Sequence, residues 1–407
     1  MTADLVFRLG AAYASWSNGE PALIGRDTRG SGLELEQALV AGLRSAGSPV
    51  ALGGVLPTPA VALLAEDSGV VVSASHNPPE YNGVKFFRGG WKLDDAEEEA
   101  IEKLLEHVPR GYETGQSAAE SAPSDESSYA DRYVELVCER FGASLAGIRI
   151  AADCANGAMY EVAPRALERL GAHVVSVGNE PDGTNINVGC GATDLGLLTQ
   201  TVAAGDFDLG VAFDGDGDRM LAVDSMGGEL DGDQILAVLA LHLGVETVAV
   251  TEMTNLGFHR LMEARGIRVL TTPVGDRYIL EALRRESAEL GGEQSGHLLY
   301  LKGHTSGDGL VAAILLARVL RETDEPLSEL AAAMEKLPQA KANVNVRTKE
   351  IPPGLRAEID SLGKAGRVVV RPSGTEPVVR VLAEAETEQA AQNLCGRIAA
   401  LVSRELG

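Results

Sequence analysis

Short apolar runs that stop abruptly in loops of small and polar residues constrain this chain's fold more than any other feature. Residues 22–24 run into Gly25-Arg26-Asp27-Thr28-Arg29-Gly30-Ser31-Gly32, after which Leu35, Leu39 and Leu43 mark one stripe of a helix. Strands are predicted at 50–55 and 70–73, with a helix at 58–67 between them. The same alternation returns with strands at 148–153 and 173–177 around a helix at 161–170, and again with strands at 248–251 and 268–271 around a helix at 255–265. Strand and helix in alternation build a mainly parallel sheet covered on both faces. The 407 residues exceed one ordinary domain of roughly 100 to 200 residues, so the pattern implies an α/β protein of several units.

The loops carry the candidate chemistry. Val70-Val71-Val72 leads into Ser73-Ala74-Ser75-His76-Asn77-Pro78-Pro79, which holds Ser75 on a stiff turn at the carboxyl end of a strand, where open α/β sheets place their sites. The strand predicted at 209–213 ends in Asp214-Gly215-Asp216-Gly217-Asp218-Arg219. Carboxylates at alternate positions, separated by glycines, can turn inward on one cation. An EF-hand is excluded because its twelfth position is Ser225 and not a glutamate, whereas three close oxygens suit Mg²⁺. In Gly292-Glu293-Gln294-Ser295-Gly296-His297, Glu293 and Ser295 lie on one side of an extended segment and can meet paired hydroxyls. His297 alone reads as a structural histidine. Arg371-Pro372-Ser373-Gly374-Thr375-Glu376-Pro377 offers a guanidinium, two hydroxyls and free amides to a phosphate dianion. Gly275, Asp276 and Arg277 open a helix whose amides can hold an anion. Taken singly, each of these loops also reads as an ordinary turn, and Lys85 as a surface cation.

Taken together and in this order, S-A-S-H-N-P, D-G-D-G-D-R, G-E-Q-S-G-H and R-P-S-G-T-E-P resemble the signature loops of the α-D-phosphohexomutases. The likeness covers nearly the whole chain. It implies three similar αβα domains with mixed, mainly parallel sheets (1–146, 147–230 and 231–340) and a smaller α+β domain (341–407) around a central cleft. It implies that Ser75 carries a covalent phosphate and that Asp214, Asp216 and Asp218 hold one Mg²⁺ together with a phosphate oxygen on Ser75. Lys85, with His76 assisting, matches the family's proton-transfer lysine, and a lowered pKa is expected for it; Arg219 stands near the transferred charge. Arg26 and Arg29 are expected to shape the phosphate environment, Glu293 and Ser295 to bind sugar hydroxyls, and Arg371, Ser373, Gly374 and Thr375 to hold the phosphate that is not reacting. Asn185-Ile186-Asn187 with Cys190-Gly191-Ala192-Thr193, Gly275-Asp276-Arg277 and the glutamine at 294 resemble the branch acting on glucosamine phosphates. The implied reaction interconverts glucosamine 6-phosphate and glucosamine 1-phosphate through a 1,6-bisphosphate. A mutase for glucose or mannose phosphates and a sugar-phosphate binder that has lost catalysis are the alternatives. Members of the family begin with a further strand and an arginine-bearing turn; this chain begins at the helix that follows, so either a start lies upstream or that strand is absent.

Composition narrows the setting. A net charge of −24 repels nucleic acid and anionic membrane alike. Acidic, lysine-poor surfaces suit concentrated salt, where screening removes self-repulsion, so a halophilic cytoplasm is expected. No run of about 18 apolar residues and no signal sequence is present, which predicts a soluble, unexported chain. Cys138, Cys154, Cys190 and Cys395 lack metal or disulfide spacing, in keeping with a reducing cytosol. Residues 109–128 read as a surface segment and 326–340 as helix and linker; a fourth sheet is expected from strands at 343–348, 367–370 and 378–383 with a helix at 387–402. Nothing in the pattern specifies an oligomeric state.

Overall fold

The computed structural model describes all residues except 113–125, 364–365 and 374–375, and of Glu126 and Ser127 only the backbone. Part of the predicted surface segment, and Gly374 and Thr375, therefore lie outside the described residues. Four sheets follow one another along the chain. The first takes the order β2 (Val50–Val55), β1 (Ala22–Arg26), β3 (Ser68–Val72), β4 (Val84–Arg88), β5 (Trp91–Lys92), and the second β10 (Glu229–Leu230), β9 (Met220–Asp224), β8 (Leu209–Phe213), β6 (Arg149–Asp153), β7 (His173–Val177). The third runs β12 (Arg268–Thr272), β11 (Thr247–Thr251), β13 (Leu290–Gly292), β14 (Leu298–Tyr300). In each, the strands that alternate with helices pair in parallel, while the later edge strands pair antiparallel. The mixed α/β architecture is thus as expected.

The fourth sheet, β15 (Gln339–Asn345), β17 (Val378–Glu384), β16 (Arg367–Pro372), is wholly antiparallel and is packed by the helices Pro353–Leu362 and Glu388–Leu406. Its first strand starts four residues before the expected 343, because Gln339 to Ala342 continue the pairing with β17 up to Glu384. Residues 339 and 340, expected to be linker, are strand. The helix expected at 58–67 stops at Leu64, since Ser68 is already needed opposite Ala22 in the sheet.

One apolar core runs continuously through the first three sheets, from Leu23 through Phe213 to Leu316, whereas the fourth sheet has a core of its own around Val379, Val381 and Ile398. The helix Gly309–Thr323 lies at the centre of the larger core and eleven of its fifteen residues are buried. Being apolar nearly all round, it has no amphipathic stripe for periodicity to reveal. No helix among the described residues is long and apolar enough to cross a membrane.

Candidate active site

Ser75 and the acidic loop meet. β3 delivers the serine loop and β8 the D-G-D-G-D-R turn, both at carboxyl ends of strands, and Ser75 Oγ donates to Asp214 Oδ2 at 2.6 Å. Ser75 has φ of 53°, a left-handed conformation that a side chain adopts only when its surroundings enforce it. They do so through the backbone: Ser75 N–H donates to Ser73 Oγ, and its carbonyl accepts from Arg29 Nη2 and Asn187 Nδ2 at 2.8 and 2.9 Å. Arg29 is fully buried and directs its donors to Asp27 and to the carbonyls of Ser75, Asn77, Pro78 and Tyr81. It therefore shapes the loop from behind and has no donor left for a direct contact to a phosphate. Arg26 pairs with Glu36 at 3.3 Å on the buried side of the following helix.

The two loops touch so closely that a Cβ at Gly215 would lie 2.6 Å from the Ser75 carbonyl oxygen, while Gly217 takes φ of 77° to close the turn. The first glycine thus serves close approach and only the second serves positive φ.

Asp214, Asp216 and Asp218 are buried and offer carboxylate oxygens within 4.8 Å of one another. Burial, reinforced by Asp218 and Asp216, pushes the Asp214 carboxyl well above the usual range. Burial acts the same way on Asp218, but Lys85 and His297 outweigh it and hold that carboxyl well below the usual range. Lys85 Nζ stands 2.5 Å from Asp216 Oδ2 and 3.0 Å from Asp218 Oδ2. Burial alone would depress this ammonium; Asp216 and Asp218 more than offset it and hold it above its ordinary value, which corrects the lowered pKa expected from sequence. His76 Nδ1 is 3.3 Å from Ser75 Oγ, and burial, aided by Arg219, lowers its pKa so that the ring is neutral near pH 7. Arg219 flanks Asp218 at 3.8 Å, with its Nε buried and unpartnered among the described residues.

The fit to a cation rests on two atoms. Among the described residues Asp216 Oδ1 is buried without a hydrogen-bond partner, and Asp218 Oδ1 has only the longer contacts to His297 at 3.5 Å and Arg219 at 3.8 Å; an anionic oxygen is costly to leave so. A hard divalent cation with oxygen ligands is the partner they suit.

Three residues outside the signature readings complete the site. Thr58 holds Asp216 through hydroxyl and amide. Asn187, at the end of the Asn-Ile-Asn stretch, braces the serine loop from the second sheet. His297, read as structural, lies between Asp218 at 3.5 Å and Asp276 at 3.4 Å, tying the acidic loop to the third sheet. Its position at the end of G-E-Q-S-G-H was the available signal.

Asp276 is paired with Lys92 as well, and Arg277 with Asp95. Burial opposes the charge on Asp276, but Lys92 and His297 hold its carboxyl far below the usual range. Lys92, Asp276 and Arg277, with Gly275, Lys85, Glu98 and Tyr278, line a cleft of about 400 Å³ between the first and third sheets. Glu293 Oε1 accepts from the Gly275 amide at 3.1 Å, and Ser295 Oγ lies 3.5 Å from Glu293 Oε2; the two stand together, but on a turn closed by the Gly296 amide and the Glu293 carbonyl and not on the extended segment expected. Gln294, between them, points to the fourth sheet instead. Ser373 is buried on that sheet, and Arg371 lies directly opposite Arg380; the Nε of each is buried and unpartnered among the described residues.

Three αβα sheets meeting around a buried serine and three aspartates, with a fourth, arginine-bearing sheet, define the chain as a member of the phosphoglucomutase/phosphomannomutase family. Residues 1–110, 128–227 and 231–337 match that family's alpha/beta/alpha domains I, II and III, and residues 317–401 match its C-terminal domain. Among its relatives, the phosphoglucosamine mutase of Desulforudis audaxviator is 48% identical over 95% of this chain and 91% of its own length. That of Pelotomaculum thermopropionicum is 47% identical over 98% and 94%. A solved phosphoglucomutase/phosphomannomutase family protein from Burkholderia thailandensis superposes with a TM-score of 0.84 at 26% identity, covering 100% of this chain and 94% of that one.

Proposed function

We propose that this chain is a phosphohexomutase that interconverts glucosamine 6-phosphate and glucosamine 1-phosphate in the cytoplasm, through a phosphorylated Ser75 and a 1,6-bisphosphate. The observation that carries the reading is the 2.6 Å contact of Ser75 Oγ with a buried aspartate triad in which, among the described residues, two carboxylate oxygens lack a hydrogen-bond donor. Asp214, Asp216 and Asp218 would hold Mg²⁺. The chemistry this ion supplies when bound is neutralisation of charge on phosphoryl oxygens and, through the carboxylates it shares with Lys85, relaxation of that ammonium toward its ordinary range.

The residues act as follows. Ser75 gives its phosphoryl group to O1 of the sugar phosphate: the P–O1 bond forms, the bond to Oγ breaks, and the O1 proton leaves to the His76 ring, while Lys85, held as an ammonium, balances charge beside the aspartates in place of the proton-accepting role that the resemblance implies. Arg219 balances charge at the equatorial oxygens. The intermediate turns end for end; the P–Oγ bond forms again, the P–O6 bond breaks, and O6 leaves as a hydroxyl with the proton that O1 gave up. Glu293 and Ser295 hold the ring hydroxyls that look alike in both orientations, and Gly275, Asp276 and Arg277 line the sugar's path. Arg371 and Ser373, with Gly374 and Thr375, clamp the phosphate that is not reacting. The acidic surface is proposed to be an adaptation to salt, which a thermal midpoint that rises from low to molar salt would support.

A coupled assay comparing glucosamine, glucose and mannose 6-phosphates, run beside intact mass spectrometry, tests the proposal. Phosphate on Ser75 and preference for the amino sugar are expected. Full turnover by Ser75→Ala would sink it.

A further inference from the structure

We infer that Gln294 is a positioning residue that latches the sugar loop to the fourth sheet and does not read the sugar itself. The inference rests on the roles proposed above for Glu293 and Ser295. Residues 293–296 form a tight turn, closed by the Gly296 amide on the Glu293 carbonyl at 3.0 Å, and from this turn the Gln294 side chain is drawn to the fourth sheet. Its Nε2 lies 3.1 Å from Gln339 Oε1 and 3.2 Å from Asp231 Oδ2, and its Oε1 accepts from Lys341 Nζ at 3.0 Å. Oxygens face the amide nitrogen and an ammonium faces the amide oxygen, which leaves one orientation for the group. Gln339 and Lys341 lie on the same face of β15, the strand whose early start the sequence pattern did not reveal.

The chain of contacts continues inward. Gln339 Nε2 donates to Glu384 Oε1 at 2.8 Å, and Glu384 is fully buried and paired with Arg367 at 2.6 Å. Arg367 in turn donates to the carbonyls of Thr254 and Glu252 on the third sheet's side. On the other side, the Gln294 carbonyl accepts from the Gly232 amide at 2.9 Å, seating the loop on the helix Gly232–His242.

The fourth sheet has a separate apolar core, and the joining contacts named here, with Lys336–Asp231 and Arg260–Glu386, are polar. Each such bond contributes little net free energy, so a few of them can set how the sheet stands against the rest. Gln294 then couples the groups that hold the ring to the sheet that carries Arg371. Loosening it lowers the fraction of molecules in which both are in place, and apparent affinity falls by that fraction.

Gln294→Met keeps the chain length and removes every polar contact of the side chain. KM is expected to rise by about 5- to 20-fold with kcat within about twofold, and by the same factor for glucosamine and glucose 6-phosphates. Lys341→Met, an exposed change on the fourth sheet, should reproduce part of the rise, and the double variant should fall short of the product of the two singles. Hydrogen exchange in 339–345 should quicken in Gln294→Met, with or without substrate. A changed sugar preference, fully multiplicative effects, or unaltered exchange would each overturn the latch. Glu293→Gln separates the two readings: an unchanged KM there would remove the sugar-loop role, while the exchange data would still decide the latch.

Discussion

The acidic loop of the second sheet and the arginine loop of the fourth both gather like charges, and they resolve the conflict in opposite ways. Around Asp214, Asp216 and Asp218 the protein supplies its own compensation: Lys85 from β4, His297 from the third sheet, Arg219 beside them and the Thr58 hydroxyl. Across β16 and β17, Arg371 faces Arg380, and the ion pair formed there is Arg380 with Glu376. Like charges directly opposite one another in a sheet destabilise it. The first loop is therefore compensated within the protein, while the second carries an excess of positive charge among the described residues, which fits the phosphate-holding role proposed for it.

The largest effect that would break this contrast is at the nucleophile. Ser75→Ala should lower turnover by about 10⁴-fold or more while leaving the thermal midpoint unchanged, because the loop is held through its backbone. Next, Asp216→Asn should reduce kcat by roughly 10²- to 10³-fold and raise the Mg²⁺ concentration needed for half-maximal activity, measured by titration with the metal. Without added Mg²⁺ the same variant should unfold earlier than the parent, since the 2.5 Å pair of Asp216 with the Lys85 ammonium is lost.

Arg371→Gln should act in the other sense. KM is expected to rise about 10- to 30-fold, since charge-assisted contacts to the phosphate are lost, and the midpoint to hold or rise slightly because Arg380 loses a like neighbour. A fall in midpoint together with unchanged KM would show that the arginine loop is structural.

The smallest effect concerns Asp233, which burial, reinforced by Asp231, pushes from 3.8 up to about 7. Its folded pKa exceeds its unfolded one, so the stability it contributes is full below pH 3.8 and is lost as pH rises through about 7. Asp233→Asn should match the parent near pH 4 and exceed it at pH 8 by something on the order of 1–2 kcal/mol in denaturant melts.

Legibility in the sequence followed the type of interaction. Strands with β-branched runs and helices with one apolar stripe were placed to within a few residues, as at β2, β7 and β8. The helix Gly309–Thr323 was missed because burial on all sides erases the stripe, and β15 began early because its polar residues are held by pairing with β17. Ser75 and the three aspartates were singled out by residue type and spacing, His76 and Lys85 by the resemblance to the family, and the structure brings them together. Thr58 carries no local signal of that kind, since it matters only through a carboxylate on another sheet, and His297 had only its place at the end of G-E-Q-S-G-H.

By itself, then, the order of residues determined the alternation of strand and helix, the loops at the strand ends and the chemical groups those loops offer, because these depend on near neighbours along the chain. Only the tertiary structure decided how the groups are used: that Lys85 is held charged by Asp216 and Asp218, that Arg29 is taken up by the backbone, and that Gln294 turns toward the fourth sheet. Charge state and hydrogen-bond partner depend on burial and on atoms from distant segments, which linear spacing does not encode.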